Sequence, residues 1–519
     1  MTEKRAQRLS VCLGEMADRI LNRFDDTEVT GIAWDSRKVQ PGDAFFALVG
    51  DTFDGHRFIP QAIEAGAAAV IGTKASMTLD VPYVQITGDD REALAKFASA
   101  FYDHPSRKLV VIGVTGTDGK TTTTNLVYHI LKTDGVTVGM ISTVNAVIGD
   151  EALDTGFHVT TPESPDIQRY LAQMVDAGLT HAVLETTSHG LAQKRVAEVE
   201  YDLAAVTNVT HEHLDYHRTY EGYVRTKGLL FEGLSGKASP EKDVQPLAVL
   251  NRDDDSYPYL KKITQAKQLT YSLAKDTDLW ADEIENTSSE LRFTVHGPGK
   301  TFRIRTPLIG RYNVHNGLAA LGLTVFGLGV PVEAAQKAFS SIPTVPGRME
   351  SINLGQDFLA IVDFAHTPNA IKQALLTARE LTGGKVIAVF GSAGLRDVEK
   401  RKMMPEIAAG LADRMFLTAE DPRTESLDGI LADMAEGARK GGGEEGVTFW
   451  REPDRGTAVR RAVACAERGD LVVLCGKGHE QSMCFGDVEY AWDDRTALRA
   501  ALSELLGVQG PEMPKLPTS

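Results

Sequence analysis

The feature that most constrains the fold is an apolar strand that runs directly into a glycine-rich loop. LVVIGVTG (109–116) has the composition of a buried strand, and the loop Gly116-Thr117-Asp118-Gly119-Lys120-Thr121 follows it. Apolar residues at helical spacing and a second strand, VTVGMIST (136–143), come next. A strand, a helix and a further strand in this order predict a mostly parallel sheet with helices packed on it.

The loop itself has the chemistry of a polyphosphate site. Backbone N–H groups of a glycine-rich turn can surround phosphates, and the following helix adds partial positive charge. We expect Lys120 to reach the terminal phosphates and Thr121 to offer its hydroxyl to Mg²⁺. The strict pattern requires glycine where this chain has Val114. A turn without a ligand is the alternative, but the strand before it and the helix after it favour a nucleotide site.

The chain divides into three segments that differ in their pattern of predicted strands, helices and turns. Its 519 residues allow roughly three domains, which we predict at 1–107, 108–344 and 345–519. Period-2 strands over 285–309 predict an antiparallel patch on the central domain. TVPGRME (344–350) has the composition of a hinge, and the buried-type strands after it predict a second doubly wound α/β unit.

Composition excludes several classes of protein. A formal charge of −16 argues against nucleic-acid binding, which needs a basic face. Four scattered cysteines fit a reducing compartment and indicate neither a disulfide framework nor a zinc site. The sequence has no apolar run typical of a signal peptide or a membrane span, so we expect a cytoplasmic protein. The tail, 507–519, is expected to be disordered.

Two further clusters carry polar chemistry. The strand HAVLETTSHG (181–190) contains Glu185, and a carboxylate at the carboxyl end of a parallel strand near a phosphate loop is a natural Mg²⁺ ligand. Taken alone, such a glutamate is more often a cap or a surface residue. TNVTHEHLDYH (207–217) is rich in histidines, including His213, but its spacing matches no zinc pattern. Capping or surface histidines are the alternative there.

These clusters, in this order, resemble the Mur ligase family, and more closely its MurE-type branch. The match extends from about residue 30 to about 505. It implies three domains: a small α/β UDP-binding domain, a central P-loop ATPase domain, and a C-terminal Rossmann-like α/β domain. It also implies ATP-dependent ligation of a diamino acid to the γ-carboxylate of D-Glu in UDP-MurNAc-L-Ala-D-Glu, through an acyl phosphate, in peptidoglycan synthesis. ATP would be co-substrate, Mg²⁺ the cofactor, and the enzyme a monomer.

The resemblance also implies roles for individual residues of this sequence. HLDYHRTYEGYVRTKGLLF (213–231) resembles the segment that carries a carbamylated lysine, here Lys227, which would hold a second Mg²⁺. The implied catalytic residues are Lys120, Glu185, Lys227 and His213, and the implied metal ligands are Thr121, Glu185 and Lys227. The implied ATP-binding residues are Thr115, Gly116, Thr117, Asp118, Gly119, Lys120, Thr121, Thr122, Asn313, Asn316, Arg348, Asp363 and His366. The implied contacts to UDP-muramoyl-dipeptide are Ser36, Thr160, Thr161, Thr187, Gln193 and Arg195.

The amino-acid substrate is expected in the C-terminal domain, and its identity depends on TAEDPRTES (418–426). Family members that take meso-diaminopimelate usually have DNPR here, with the arginine on the distal carboxylate. This chain keeps Arg423 but has Asp421 in place of asparagine. A negative charge there favours lysine or ornithine over meso-diaminopimelate, which stays an alternative. The implied contacts are Arg396, Glu420, Asp421, Pro422, Arg423, Gly476 and Glu480.

Three other functions remain open from sequence. One is that of another muramoyl ligase, or of a MurE-like paralogue in a different pathway. Folylpolyglutamate synthetase shares the phosphate loop and two α/β domains, but it lacks the segment WDSRKVQPGDAFFAL (34–48). A P-loop regulator or motor would hydrolyse nucleotide without ligation, and it would leave the Lys227 segment and LCGKGHEQ (474–481) unexplained.

Overall fold

Three larger sheets, each flanked by helices, follow one another along the described chain in the computed structural model of the protein. The structure describes residues 5–50, 54–75, 79–143, 145–149, 151–153, 161–210, 212–234, 242 and 244–519. The mixed α/β class expected from the sequence is confirmed. The boundaries at 107/108 and 344/345 stay predictions.

The first sheet contains four parallel strands in the order β3-β4-β5-β6, and a short antiparallel pair, β1 and β2, lies beside it. Its elements are β1 Gln7–Arg8, α1 Leu9–Cys12, β2 Glu28–Val29, β3 Gly31–Ala33, β4 Asp43–Ala47, α2 Ile59–Glu64, β5 Ala69–Gly72, β6 Tyr83–Gln85 and α3 Asp90–Phe101, with 3₁₀ turns at Gly14–Arg19, Ser36–Lys38, Gly55–Phe58 and Pro105–Lys108.

The central sheet is one continuous surface of eleven strands over the described residues, in the order β10-β9-β8-β11-β7-β12-β13-β14-β15-β16-β17. Its strands are β7 Val110–Thr115, β8 Val138–Ile141, β9 Ala146–Ile148, β10 Glu151–Leu153, β11 His181–Glu185, β12 Leu203–Val206, β13 Leu247–Asn251, β14 Lys267–Ser272, β15 Leu279–Asn286, β16 Leu291–Gly297 and β17 Lys300–Thr306. Its helices are α4 Lys120–Thr133, α5 Ser164–Asp176, α6 Ser188–Ala192, α7 Leu214–His217, α8 Tyr220–Gly233, α9 Tyr257–Ile263, α10 Tyr312–Leu323 (with a π-helical turn at Thr324–Leu328) and α11 Val332–Ser341.

The predicted βαβ unit forms the middle of this sheet. β7 pairs in parallel with β11 and β12, so the phosphate loop follows a strand that is buried on both sides. The apolar positions of α4 predicted from spacing, from Leu126 to Leu131, are buried against it. The antiparallel patch is also confirmed, but it begins at Leu279 and continues the edge of the central sheet through a parallel β14–β15 pair.

The third sheet has the order β18-β19-β23-β20-β21-β22 and is parallel except for its edge strand β18. All five strands predicted after residue 350 are present. Its elements are β18 Glu350–Ser351, β19 Leu359–Asp363, α12 Pro368–Leu381, β20 Val386–Phe390, α13 Glu399–Ala409, β21 Arg414–Leu417, α14 Leu427–Lys440, β22 Phe449–Arg451, α15 Arg455–Ala464, β23 Leu471–Cys475, the hairpin β24 Ser482–Phe485 and β25 Val488–Ala491, and α16 Asp494–Leu506.

The C-terminal tail does not behave as predicted. Leu516 is buried in a small cluster with Trp492 and Met483, and the hydroxyls of Thr518 and Ser519 donate to the Asp454 carboxylate. The expectation of disorder was wrong. A single buried leucine and two hydrogen bonds dock a segment whose composition alone has few apolar residues.

Candidate active site

A cleft of about 1220 Å³ lies where the carboxyl ends of the central strands face the third sheet. This volume exceeds that of a typical single small-molecule pocket, so the cleft can hold more than one ligand. Of the residues predicted for ATP, metal and catalysis, it is lined by Thr117, Asp118, Gly119, Lys120, Thr121, Thr122, Glu185, His213, Lys227, Asn313, Asn316, Arg348, Asp363 and His366.

The phosphate loop packs closely against its neighbours. Gly119 has φ +84°, and a Cβ there would lie 2.2 Å from Asn316 Oδ1, so only glycine fits. Lys120 Nζ donates to the Thr117 carbonyl at 2.8 Å, and desolvation lowers the pKa of Lys120. Thr115 and Gly116 are buried beneath the loop and do not line the cleft.

Glu185 lies beside the start of α4 because β11 and β7 are parallel neighbours, with Glu185 opposite Val114. The Thr121 hydroxyl donates to Glu185 Oε1 at 3.1 Å, and Thr143 N donates to Oε2 at 3.1 Å. Arg348 Nη2 donates to the same hydroxyl at 3.1 Å. The sequence prediction that groups Glu185 with the loop therefore agrees with this geometry.

These oxygens fit Mg²⁺. The described residues contain no group of three or more His, Cys, Asp or Glu side chains that could hold a metal ion. One carboxylate and one hydroxyl suit a cation that keeps several waters and takes its remaining ligands from substrate phosphates. Lys227, in contrast, offers an amine, which is a ligand for Mg²⁺ only after conversion to an oxygen donor.

Lys227 is buried, with 1% of its surface exposed. Its Nζ donates to the Gly116 carbonyl at 2.6 Å and lies 4.5 Å from the centre of the Tyr223 ring. Within the described chain no carboxylate lies at ion-pair distance from it. Burial, and then the neighbouring Lys120, hold the pKa of Lys227 well below its usual value. Lys227 is therefore not the exposed surface cation that an isolated lysine on a helix usually is. Its lowered pKa favours the neutral amine, which is the form that reacts with CO₂.

The histidine-rich segment lies on the same side of the cleft. His213 has φ +56°, and its ring packs edge-on against His189 at 4.6 Å. Burial lowers its pKa strongly, so the imidazole is neutral. Its neighbour Glu212 is buried and pairs with Lys400 of the third sheet's α13 at 3.4 Å.

The opposite wall contains the predicted nucleotide residues of α10 and of the segment after β19. Asn313 Nδ2 donates to the Ile309 carbonyl, and Asn316 Nδ2 donates to Asn313 Oδ1 at 2.9 Å. Asp363 accepts from the N–H groups of Met349 and Ala365. The remaining member, His366, lines the cleft, and burial lowers its pKa.

Four of the six residues predicted for the UDP-muramoyl-dipeptide form a group beside Glu185. Thr161 and Thr187 share a 2.9 Å hydrogen bond between hydroxyls, and Arg195 donates to the Thr161 carbonyl and to Gln193 Oε1. Of these four, only Thr187 lines the cleft. Ser36 belongs to the first sheet, where its hydroxyl donates to Gln61 Oε1. Thr160 lies outside the described residues.

The residues predicted for the amino-acid substrate are less concentrated. Glu480 lines the cleft, whereas Arg396 is exposed on the loop before α13. Glu420 is buried, and a Cβ on Gly476 would approach its Oε2 to 2.6 Å. Burial raises the pKa of Glu420 to about 7. Pro422, also predicted, is buried between Asp421 and Arg423.

The negative charge of Asp421 is compensated inside the protein. Lys477 Nζ lies 3.0 and 3.1 Å from the two Asp421 carboxylate oxygens and also contacts Glu480. Cys484 N donates to Asp421 Oδ1. The guanidinium of Arg423 makes no ion pair or hydrogen bond with any described residue. Asp421 therefore pairs with Lys477 and leaves Arg423 available to a ligand.

The segment predicted as a hinge touches the loop that carries Glu480. A Cβ on Gly347 would lie 2.2 Å from the Gly478 carbonyl carbon, so the two backbones are in direct contact. Arg348 follows and lies over the Phe364 ring at 4.5 Å. The hinge segment is thus a wall of the site.

Comparison with known proteins decides the family. Three family models match successive parts of the chain: "Mur ligase family, catalytic domain" over 28–102, "Mur ligase middle domain" over 114–324 and "Mur ligase, glutamate ligase domain" over 347–478. A UDP-N-acetylmuramyl-tripeptide synthetase of Roseiflexus sp. (strain RS-1) is 43% identical, over 92% of this chain and 95% of the relative. The chain belongs to the Mur ligase family.

Two further relatives agree with the MurE-type resemblance. A UDP-N-acetylmuramoyl-L-alanyl-D-glutamate–2,6-diaminopimelate ligase of Geobacillus thermodenitrificans (strain NG80-2) is 39% identical, over 96% of this chain and 99% of the relative. A solved structure of a ligase of that name superposes with a TM-score of 0.62 at 30% identity, covering 92% of this chain and 95% of the other. The family prediction is confirmed, and this Mur ligase is an ATP-dependent enzyme. None of its described helices is long and apolar enough to span a membrane.

Sequence reasoning missed two residues of this Mur ligase site. Lys400 and Lys477 are 5% and 1% exposed, and each pairs with a carboxylate. Both lie near predicted substrate residues in the sequence: Lys400 shares the segment 391–404 with Arg396, and Lys477 shares 474–481 with Gly476 and Glu480. Since a lysine is usually exposed, only its position inside a functional motif could have identified either one.

Proposed function

We propose that this Mur ligase joins a diamino acid to the γ-carboxylate of D-Glu in UDP-MurNAc-L-Ala-D-Glu, at the expense of ATP. The observation that carries this proposal is the shared cleft, in which the phosphate loop, Glu185 and Lys227 of the central sheet face Glu480 of the third sheet. A nucleotide site alone does not require a second α/β unit opposite its phosphates. The names of the relatives support the same reaction.

The chemistry we infer is activation of the carboxylate as an acyl phosphate. The γ-phosphoryl group moves from ATP to a carboxylate oxygen of D-Glu, which releases ADP. The amine of the amino acid then attacks the acyl carbon, phosphate leaves, and one proton is lost from nitrogen. Lys120 at the loop and Arg348 from the opposite wall are the cations that can offset charge on the transferred oxygens.

Thr121 and Glu185 would hold one Mg²⁺, and Lys227, once carbamylated, a second. Bound there, Mg²⁺ supplies charge neutralisation for the phosphates. Carbamylation forms a bond between Lys227 Nζ and the carbon of CO₂ with loss of one proton, and it requires the unprotonated amine that burial favours. His213 lines the cleft as a neutral imidazole and can hydrogen-bond a substrate group, whereas its lowered pKa makes it a weak base.

The remaining predicted groups fit a substrate that extends away from the cleft. Thr161, Thr187, Gln193 and Arg195 lie beside Glu185 and would position the dipeptide, and Ser36 of the first sheet would contact the uridine nucleotide. Such an arrangement assigns uridine-nucleotide binding to 1–107, ATP binding to 108–344 and amino-acid binding to 345–519.

For the amino acid we now favour meso-diaminopimelate. Asp421 is paired with Lys477, so its charge does not oppose a distal carboxylate, and Arg423 is available to bind one. Relatives named as diaminopimelate ligases, such as that of Geobacillus thermodenitrificans, support this choice. Lysine or ornithine, favoured from sequence, remains the second candidate because TAEDPRTES (418–426) has Asp421 where diaminopimelate ligases of the family usually have asparagine.

One experiment tests the reaction and the substrate together. The purified protein is incubated with ATP, Mg²⁺ and UDP-MurNAc-L-Ala-D-Glu, with meso-diaminopimelate, lysine or ornithine added separately, and the products are weighed by mass spectrometry. We expect ADP release and tripeptide only when both acceptor and amino acid are present. Steady ATP hydrolysis without them would refute the ligase and favour an NTPase. With an ¹⁸O-labelled γ-carboxylate, one label should appear in the released phosphate; unlabelled phosphate would exclude the acyl phosphate.

A further inference from the structure

The side chain of Asp118 reaches from the phosphate loop to α12, the first helix of the third sheet. Its Oδ1 accepts from the Thr367 hydroxyl at 3.3 Å, and its Oδ2 accepts from Asn369 Nδ2 at 2.9 Å. Thr367 is the N-cap of α12 and Asn369 lies in its first turn. A residue of the phosphate loop thus contacts the other half of the cleft through its side chain.

The backbone of Asp118 is held by the central sheet. Its N–H donates to Asn208 Oδ1 at 3.0 Å, and its carbonyl accepts from Thr207 Oγ1 at 2.6 Å and from Asn208 Nδ2 at 3.1 Å. The residue therefore has little freedom on the loop side. Any displacement of α12 must break its side-chain bonds or move the loop.

The partners of Asp118 are matched to a carboxylate. The Thr367 hydroxyl accepts from Ala370 N at 3.0 Å, so its own proton is free for Asp118. Asn369 contributes amide N–H, so both contacts present donors to an acceptor-only group. The N-terminus of a 14-residue helix adds partial positive charge. An asparagine at 118 would place its own NH₂ against one of these donors.

We propose that Asp118, Thr367 and Asn369 form an interdomain clasp, which positions the amino-acid half of the cleft against the phosphate loop. Asp363 and His366 lie immediately before α12, so the clasp fixes their distance from the loop as well. Asp118 is then a positioning residue, and its carboxylate is not a ligand of the nucleotide. The expected effect on KM rests on the ligase reaction proposed above. The clasp itself rests only on the hydrogen bonds of Asp118 and does not depend on that reaction.

A charge-swap cycle tests the clasp. Asp118→Asn removes the charge-assisted bonds and should raise the KM for the amino acid about tenfold. Asn369→Asp sets two carboxylates against each other and should raise it about 100-fold, with an increase in the radius of gyration measured by small-angle X-ray scattering on the nucleotide-free protein. The double variant restores one amide and one carboxylate. Its KM for the amino acid should return to within about threefold of the wild-type value, and its radius of gyration should return to that of the wild type.

Two controls separate this role from a general loss of structure. Lys372→Gln makes the net charge of α12 more negative by one unit, as Asn369→Asp does, but at an exposed position. It should leave the radius of gyration unchanged. The melting temperature of every variant should lie within a few degrees of the wild-type value. Wild-type scattering and KM in Asn369→Asp, or defects that simply add in the double variant, would overturn the clasp. If neither the wild type nor any variant ligates an amino acid, the ligase proposal fails. The radius of gyration of the variants then still tests whether the clasp exists.

Discussion

The two ends of the cleft are built differently. At the phosphate end, Glu185 ends one strand, Lys120 and Thr121 begin the helix that follows the neighbouring parallel strand, and the buried Lys227 contacts the loop between them. On the amino-acid side the predicted groups come from loops. Glu480 lines the cleft, whereas Asp421 and Arg423 lie outside its lining and have φ of +39° and +54°, where side-chain-bearing residues are uncommon. The first end is fixed by the sheet. The second depends on charge pairs between loops, and this is where specificity can change without loss of the ATP site.

The largest effect should follow removal of the buried lysine. Lys227→Ala is expected to reduce kcat by about 1,000-fold or more, since the proposed carbamate ligand for a second Mg²⁺ is lost. Initial rates of tripeptide formation measure this, with partial rescue by added short-chain carboxylates. Lys227→Met, which keeps the volume of the stem, should be equally inactive at an unchanged melting temperature. Full activity in either variant would refute the carbamate.

The amino-acid end should instead respond in stability to pH. The folded-state pKa of Glu420 is about 7, above the ordinary 4.5, so the protonated carboxyl stabilises the folded protein. That contribution, about 3 kcal/mol, is complete below about pH 4.5 and is lost as pH rises to about 7. Denaturant unfolding at pH 4.5 to 8 should show that Glu420→Gln lacks this decline. Parallel pH curves for variant and wild type would contradict a buried, neutral Glu420.

Arg423 tests which ligand that end receives. Arg423→Ala should raise the KM for meso-diaminopimelate about 100-fold, because a bidentate pair with the distal carboxylate is lost. The KM for lysine, which has no such carboxylate, is the internal control and should change little. An unchanged KM for meso-diaminopimelate would remove Arg423 from this role.

The smallest effect is expected at Asp421. Because Lys477 already neutralises it, Asp421→Asn should alter the ratio of kcat/KM between meso-diaminopimelate and lysine by less than about tenfold. Competition between the two amino acids in one reaction measures the ratio directly. A larger shift towards meso-diaminopimelate would mean that Asp421 selects a side-chain ammonium, and would return lysine or ornithine to first place.

Prediction from sequence worked where chemistry follows from local pattern. The strand–loop–helix unit fixed the position of Lys120, and parallel pairing made Glu185 its neighbour. The burial of Lys227 could not be read from its own helix, since it depends on α8 packing beneath the Gly116 carbonyl. The Asp421–Lys477 pair joins residues 56 positions apart, so only the folded chain reveals that the charge is compensated. The same limit explains the tail, whose docking depends on Asp454.

The contact between Gly347 and Gly478 has a mechanical consequence. With no side chain between the two backbones, a rotation about 344–350 is passed on directly to the loop that carries Glu480. The position of Glu480 in the cleft is therefore coupled to the orientation of the 344–350 segment.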